Sequence, residues 1–383
     1  MKELVLPLVE ETLSRFLKKT LETTYFIGVQ HILETTHSMF RSLYQYGLLP
    51  KNVLLIGKCY STNLEVFSEM RDDGIYLSDD SLAFDSHDSF DHQFDKYVEK
   101  FFRLTVRKIL NSNAENIIVL DDGGKFIKHL QGLNIQKVNI VGIEQTSAGY
   151  HQIKNLSLPF PVINVARSPT KLLLESPMIA EATAHRIRKT FCNLSIFPQK
   201  VLILGGGPIG EAIFNYLSKD YYVKIFDANP KISQIKTSLL DEIITEFDCI
   251  IGSTGTVSFP KEFHNKLQEK TWLISSSSSD REFDAIHLRK YLPKIHDCHS
   301  TVENGKIFLA NCGFPVNFDG ERENIHPDQI QLTIALIVGG IIQALHTKQN
   351  QNKSIIPLSQ DIEDFISKTF VSKYQRESGA VFY

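Results

Sequence analysis

Val201-Leu-Ile-Leu-Gly-Gly-Gly-Pro-Ile-Gly210 is the stretch on which the reading of this chain turns. Four consecutive apolar residues have the character of a strand buried on both faces. They run straight into Gly205, Gly207 and Gly210, spaced G-x-G-x-x-G, and then into a helical pattern from Glu211. In such an arrangement one glycine permits the tight turn, one lets a pyrophosphate approach the backbone, and one lets helix and strand pack closely. The helix N-terminus that opens at Pro208 and Ile209 then offers free N–H groups to phosphate. A second strand pattern, Tyr222-Val-Lys-Ile-Phe, ends at Asp227, about 20 residues past Gly207, where an acid accepts hydrogen bonds from the ribose hydroxyls of NAD. The 2′-phosphate of NADP would meet a negative charge there. NAD is therefore the expected cofactor. Gly252-Ser-Thr-Gly255 follows the next strand and can bring Ser253, Thr254 and Gly255 to the same ligand, although a plain turn explains it equally well taken alone.

Outward from this motif, short β-branched runs alternate with longer helical patterns in two blocks. Asn52–Gly57, Asn116–Leu120, Val138–Gly142 and Pro161–Val165 read as parallel strands of one block; Lys200–Leu204, Tyr222–Phe226, Cys249–Gly252, Thr271–Ser275 and Lys306–Ala310 read as those of the other. The expected fold class is α/β, with two doubly wound parallel sheets: a Rossmann domain at 191–324 inserted into a split substrate domain made of 1–190 and 325–383, the substrate lying in the cleft between them. Glu175–Asn193 reads as a bridging helix, Pro327–Leu345 as a long helix, Gln349–Lys353 as a polar linker and Gln360–Phe370 as a last helix. The acidic stretch Asp72–Asp95 reads as a solvated excursion or a poorly ordered loop.

Composition narrows the function classes. The chain has 383 residues, 42% hydrophobic and 22% charged, with 41 Lys and Arg against 44 Asp and Glu for a net charge of −3. Dispersed basic residues give no nucleic-acid footprint, and the longest apolar stretch, Leu332–Ile342, is well short of the ~20 residues that span a bilayer. Cys59, Cys192, Cys249, Cys298 and Cys312 form an odd, scattered set, and the N-terminal residues lack a signal-peptide pattern, so a cytoplasmic protein acting on a small molecule is expected. His296-Asp-Cys-His299 invites a metal reading, but with no second ligand cluster a structural zinc is not expected, and no metal residue is assigned.

The order of further motifs resembles the S-adenosylhomocysteine hydrolase family over roughly residues 25–345. The similar pieces are Gln30-His31, Leu120-Asp-Asp-Gly-Gly124, Gly142-Ile-Glu-Gln-Thr-Ser-Ala-Gly149, Val162-Ile-Asn-Val with Ser168-Pro-Thr-Lys171, the glycine turn with Asp227, Gly252-Ser-Thr-Gly255 and Asp280-Arg-Glu-Phe-Asp284. The resemblance implies that bound NAD transiently oxidises the 3′-hydroxyl of a nucleoside-type substrate, which acidifies C4′ and lets the 5′ substituent leave and water add. It implies that His31 works on the 5′ leaving group and water, that Asp122 meets the ribose side, and that Lys171 helps deprotonate the 3′-hydroxyl, with Glu175 where the family has an aspartate. It further assigns Thr146, Ser147, Ser276 and Asn311 to the cofactor and implies a homo-oligomer, dimer or tetramer, in one-carbon metabolism. Taken apart from the resemblance, Lys171 reads more readily as a surface lysine after a Pro-Thr turn, the commoner fate of a lysine, and His31 equally as a polar residue on a helix that also carries His37. Asp122 is better placed, since ligand crevices lie outside the carboxyl ends of parallel strands.

The departures cluster on the substrate side. A family glutamate falls on Gln145, an asparagine on Ser176, and two histidines on Ser278 and near Asn317-Phe318-Asp319; the family's C-terminal Lys and Tyr-Arg-Tyr tail is replaced by Gly379–Tyr383. Three readings therefore stay open: a hydrolase of this type, an NAD-dependent nucleoside or sugar oxidoreductase, lyase or epimerase, and a non-catalytic NAD-binding regulator.

Overall fold

Buried apolar runs become parallel strands here, and the order in which they pair creates two candidate sites. The computed structural model describes residues 3–132, 138–348 and 355–374; the expected linker Gln349–Lys353 and the terminal Gly379–Tyr383 lie outside the described residues. Thirteen strands are found among them: β1 (Thr24–Val29), β2 (Val53–Ile56), β3 (Tyr76–Leu77), β4 (Asn116–Asp121), β5 (Asn139–Glu144), β6 (Val162–Asn164), β7 (Lys200–Leu204), β8 (Tyr222–Phe226), β9 (Cys249–Gly252), β10 (Thr271–Ser275), β11 (Val302–Asn304), β12 (Ile307–Leu309) and β13 (Ile355–Pro357). They form one seven-stranded and one six-stranded sheet, in two compact units: Met1–Leu82, Asp95–Glu175 and Ile325–Tyr383 make the first, Ala83–Phe94 and Ser176–Asn324 the second. The fold is α/β with two parallel-dominated sheets.

In the first unit the order is β13-β6-β5-β4-β1-β2-β3, and every pairing is parallel. The chain winds outward in one direction from β1 through β2 and in the other from β4 through β5, so the direction reverses between β1 and β4. Sequence reading found neither β1, beside the central β4, nor the edge strands β3 and β13. Gly28 interrupts the apolar pattern of β1, and its presence is steric: at φ +149° a Cβ there would stand 1.8 Å from the Leu120 carbonyl oxygen of β4. The helix Pro327–Ala344 buries Leu332 and Ile334–Ile342, and its Gly340 backs onto Ile143 and Val165. The long apolar stretch is thus core, and no helix among the described residues is long and apolar enough to cross a membrane.

The second unit has the order β11-β12-β10-β9-β7-β8, parallel except for β11 against β12, and its direction reverses between β7 and β9. The helix Ser176–Asn193, expected to bridge, contributes Ala184, Ile187 and Phe191 to this unit's core beside Val201, Ile203, Ile213 and Leu217. None of the five cysteines is in a disulfide among the described residues.

Asp72–Asp95 is not a solvated excursion. It carries β3, the turn Asp79–Leu82 and the start of the helix Phe90–Leu110, and Ser81, Ser86, Phe90 and Phe94 are buried. Its later part is held within the second unit by Arg289, whose fully buried guanidinium donates to the Ser86, Asp88 and Cys312 carbonyl oxygens and pairs with Asp280. Asp280 in turn accepts from the Phe90 amide at 3.1 Å. The acidic composition of this stretch hid an anchor made mostly of backbone carbonyls. Removing one partner of a buried ion pair leaves the other uncompensated, so Arg289→Ala should destabilise the protein by about 3–5 kcal/mol in chemical denaturation. A change within about 0.5 kcal/mol would contradict this account of how Ala83–Phe94 is held.

Candidate functional site

Open parallel sheets place ligand crevices at the carboxyl ends of the two strands where the winding reverses. In the second unit those ends are the glycine turn after β7 and the Ser253–Gly255 loop after β9. Gly205 adopts φ +100°, and a Cβ on Gly210 would lie 1.9 Å from the Gly205 carbonyl oxygen, so turn and helix meet backbone to backbone. A Cβ on Gly207 would meet nothing within 4 Å, which leaves open space in front of the helix Pro208–Leu217; no side chain caps that helix's first amides. Ser253 ties the loops together through its Oγ, 3.0 Å from the carbonyl oxygens of Leu204 and Gly205. Asp227 stands at the end of β8, half-buried, accepting from the Gly206 amide and from the Asn229 amide, each at 2.7 Å. The carboxylate is thus fixed beside the turn, and this geometry fits a dinucleotide with its pyrophosphate on the helix and its ribose on Asp227.

One organiser of this site escaped sequence reading. Glu282, fully buried, accepts from the Thr254 amide at 3.1 Å, the Thr254 hydroxyl at 2.7 Å and the Gly255 amide at 2.9 Å, and also from the Ser258 and Ser277 hydroxyls. The only sequence signal was its place in Asp280-Arg-Glu-Phe-Asp284. Ser276, an expected cofactor residue, is buried and uses its hydroxyl on the Gly252 carbonyl oxygen at 2.9 Å. Asn311 sits at φ 48° with its amide on the Phe318 carbonyl oxygen at 3.2 Å. Thr146 and Ser147 belong to the first unit, where Thr146 caps the helix Ser147–Ile153 by accepting from the Gly149 amide, and Ser147 is exposed.

In the first unit the reversal lies between β1 and β4, whose ends lead into His31 and Asp122. His31 does not sit on a helix; it lies in the loop before the helix Glu34–Tyr44. Its Nε2 is 3.3 Å from Asp122 Oδ2, and its Nδ1 is 2.6 Å from Ser61 Oγ. Asp122 also pairs with Lys58 and accepts from Gln145 Nε2 at 2.8 Å, and Gln145 Oε1 accepts from Gln30 at 3.1 Å. Burial alone would raise Asp122, but Lys58 and His31 outweigh it and hold its carboxyl well below the usual carboxylate range. Burial likewise opposes the charge on Lys58, and Asp122 outweighs it to raise Lys58 above its ordinary value. Lys58 was missed in the sequence, although it follows the carboxyl end of β2, where such residues belong. Lys171 and Glu175 meet in a π turn, with Nζ at 2.6 and 2.8 Å from the two carboxylate oxygens.

Beneath this cluster lie two further carboxyls, Asp121 and Glu144, at the ends of β4 and β5. Asp121 accepts from the Ile127 amide at 2.8 Å, and Glu144 from the Thr146 amide and hydroxyl, both at 2.7 Å. One oxygen of each, Asp121 Oδ1 and Glu144 Oε2, is buried without a hydrogen-bond partner. Burial, reinforced by neighbouring carboxylates, pushes Asp121 up to about 7 and raises Glu144 well above the carboxylate range.

No protein-family model matches the chain. It is 40% identical over 332 residues to an uncharacterized protein of Mycobacterium tuberculosis, covering 85% of this chain; the chain spans 65% of that protein's length. Among solved structures it is similar to a dipicolinate synthase chain from Bacillus halodurans, with 9% identity, TM-score 0.39, and coverage of 86% of this chain and 99% of that one. It is also similar to NAD+-bound 3-phosphoglycerate dehydrogenase of Entamoeba histolytica, with 12% identity, TM-score 0.40 and the same coverage.

The two kinds of carboxyl have opposite pH signatures. Asp121 and Glu144 are raised in the folded state, so their stabilisation is present at low pH and is lost as pH rises through the folded values. Asp122 is lowered, so its contribution is lost as pH falls below the ordinary carboxylate range. The thermal midpoint should therefore decline as pH rises through about 7, and Asp121→Asn should flatten that decline. A midpoint that climbs over this interval in the unmodified protein would contradict the assignment.

Proposed function

We propose that the chain is an NAD-dependent enzyme that oxidises a secondary hydroxyl of a small, nucleoside-type substrate. The observation that carries this reading is the crevice at the β7–β9 reversal, where Gly205, Gly207 and Gly210 open backbone space in front of an uncapped helix and Asp227 stands ready for a ribose. Bound there, NAD supplies the acceptor for a hydride. Gly205 and Gly210 shape the turn, Gly207, Pro208 and Ile209 meet the pyrophosphate, and Asp227 holds the ribose hydroxyls in place of its present amide partners. Glu282 keeps Ser253, Thr254 and Gly255 aimed at the same ligand, with Ser276 and Asn311 supporting their loops.

The residues of the first unit are assigned to the substrate. Lys171 passes a proton to its ion-pair partner Glu175 and takes the hydroxyl proton in its place, as the hydride leaves the carbon for NAD. Asp122 stays ionised because Lys58 and His31 surround it, and it accepts from a substrate hydroxyl; His31 serves as proton carrier at the opposite end of the ligand. This is the first half of S-adenosylhomocysteine hydrolase chemistry. The second half, elimination and water addition, is assigned a minor role. Ser278 is exposed and has no group titrating near neutrality to stand in for a histidine, and Gln145 is committed to Asp122 as a neutral donor. A lost general acid–base typically costs about 10²–10⁴-fold.

Asp227→Ala should weaken NAD binding in calorimetry by about 1.5–3 kcal/mol, roughly ten- to hundredfold in Kd, and NADP should bind the unmodified protein more weakly than NAD. Equal or tighter NADP binding would sink the cofactor assignment. Incubated with adenosine or S-adenosylhomocysteine, the protein should reduce NAD while releasing little homocysteine. Lys171→Met should abolish the reduction and leave NAD affinity intact. Homocysteine release near the ~10 per second typical of enzymes would overturn the division of the chemistry, and NAD binding without reduction by any nucleoside would favour a regulatory role.

A further inference from the structure

His296-Asp-Cys-His299 carries no zinc motif in sequence, because a closed structural site needs four protein donors and no second cluster is in view. The fold changes the question from a closed site to an open one. One ligand atom each from Asp297, Cys298 and His299 lie within 4.8 Å of one another, while His296 stays exposed outside the group. The three donors differ in depth: Asp297 is exposed, His299 half-buried and Cys298 buried, so the group opens to solvent on its carboxylate side. The Cys298 thiol lies beside the His299 ring, whose Nδ1 is buried with no hydrogen-bond partner. A buried ring nitrogen with no hydrogen-bond partner beside a thiol and a carboxylate offers the mixed N, S and O donors that zinc takes.

The surroundings hold these donors in place. The Asp297 carboxylate accepts from the His299 amide at 2.9 Å, which folds the loop back on itself. Cys312, on the turn Ala310–Gly313, donates its amide to the Ser300 carbonyl oxygen at 2.8 Å and places its Sγ 3.7 Å from the Asp297 carbonyl oxygen. Gly320, at φ +82°, faces the His299 ring, where a Cβ would stand 3.3 Å from it. The ring therefore has a backbone wall on one side and the thiol on another.

We propose that Asp297, Cys298 and His299 bind one zinc ion, with the fourth position left to water. Sulfur, imidazole nitrogen and carboxylate oxygen together suit zinc over magnesium or calcium, which take oxygen ligands. Three protein donors with an open position describe an exchangeable site, not a fold-defining one, which agrees with a chain whose second unit already has its own apolar core.

The test uses the full-length protein and needs no substrate. Protein purified without chelator and supplied with zinc should retain an equimolar amount after desalting, measured by plasma mass spectrometry. Cobalt added to the zinc-free protein should give visible d–d bands and a near-ultraviolet thiolate-to-cobalt band. Cys298→Ser should lose that band, and His299→Gln should weaken cobalt binding at least tenfold; Cys192→Ser, at an exposed position outside the group, should change neither. The cobalt titration of the unmodified protein decides the matter even if a variant fails to fold. Zinc retention far below equimolar with no thiolate band, or a band that survives Cys298→Ser, overturns the proposal. None of these readouts depends on NAD, so the dinucleotide reading stands or falls separately.

Discussion

A parallel sheet must be covered on both faces, and a chain that covers both faces has to reverse its winding once. The two candidate crevices of this protein follow from where those reversals fall. In the first unit the reversal separates β1 from β4, and in the second it separates β7 from β9. At each, two loops leave neighbouring strands in opposite directions and expose backbone and side chains that no crossover helix covers. The first reversal holds charged side chains, and the second holds glycines. That contrast divides the two crevices: one presents charged, hydrogen-bonded side chains, the other bare backbone.

The sequence was most legible where a residue type has few alternatives. Glycines at 205, 207 and 210 and the acid at 227 were read correctly as a strand–turn–helix–strand unit, because only glycine satisfies the contacts that a Cβ at 205 or 210 would break. The strand β1 was lost for the same reason seen from the other side. Gly28 looks like a break in a β pattern, yet it is what lets β1 and β4 lie side by side. Local pattern cannot distinguish a glycine that ends a strand from one that a neighbouring carbonyl requires.

Polar anchors were the least legible part. Lys58, Glu282 and Arg289 are isolated charged residues in sequence, and most such residues are solvated. Their partners lie far along the chain, among them Asp122 for Lys58, Thr254 and Gly255 for Glu282, and Ser86 and Asp88 for Arg289. Two of the three bind backbone groups, which leave no compositional trace. The same blindness made an acidic stretch look like a loop, although its carbonyl oxygens, and not its acids, are what Arg289 holds.

The chain of amides from Gln30 through Gln145 to Asp122 runs in one direction, each side chain donating to the next. Its orientation is fixed at the far end by a carboxylate that can only accept. Position 145 is thereby wired to position 122 and, through it, to Lys58: the three carry one positive and one negative charge with nothing left over. A carboxylate at 145 would face Asp122 without a proton to share, and an amide at 122 would take from buried Lys58 its ion-pair partner. These positions can change only in concert, so a relative that carries an acid at 145 is expected to differ at 58 or 30 as well.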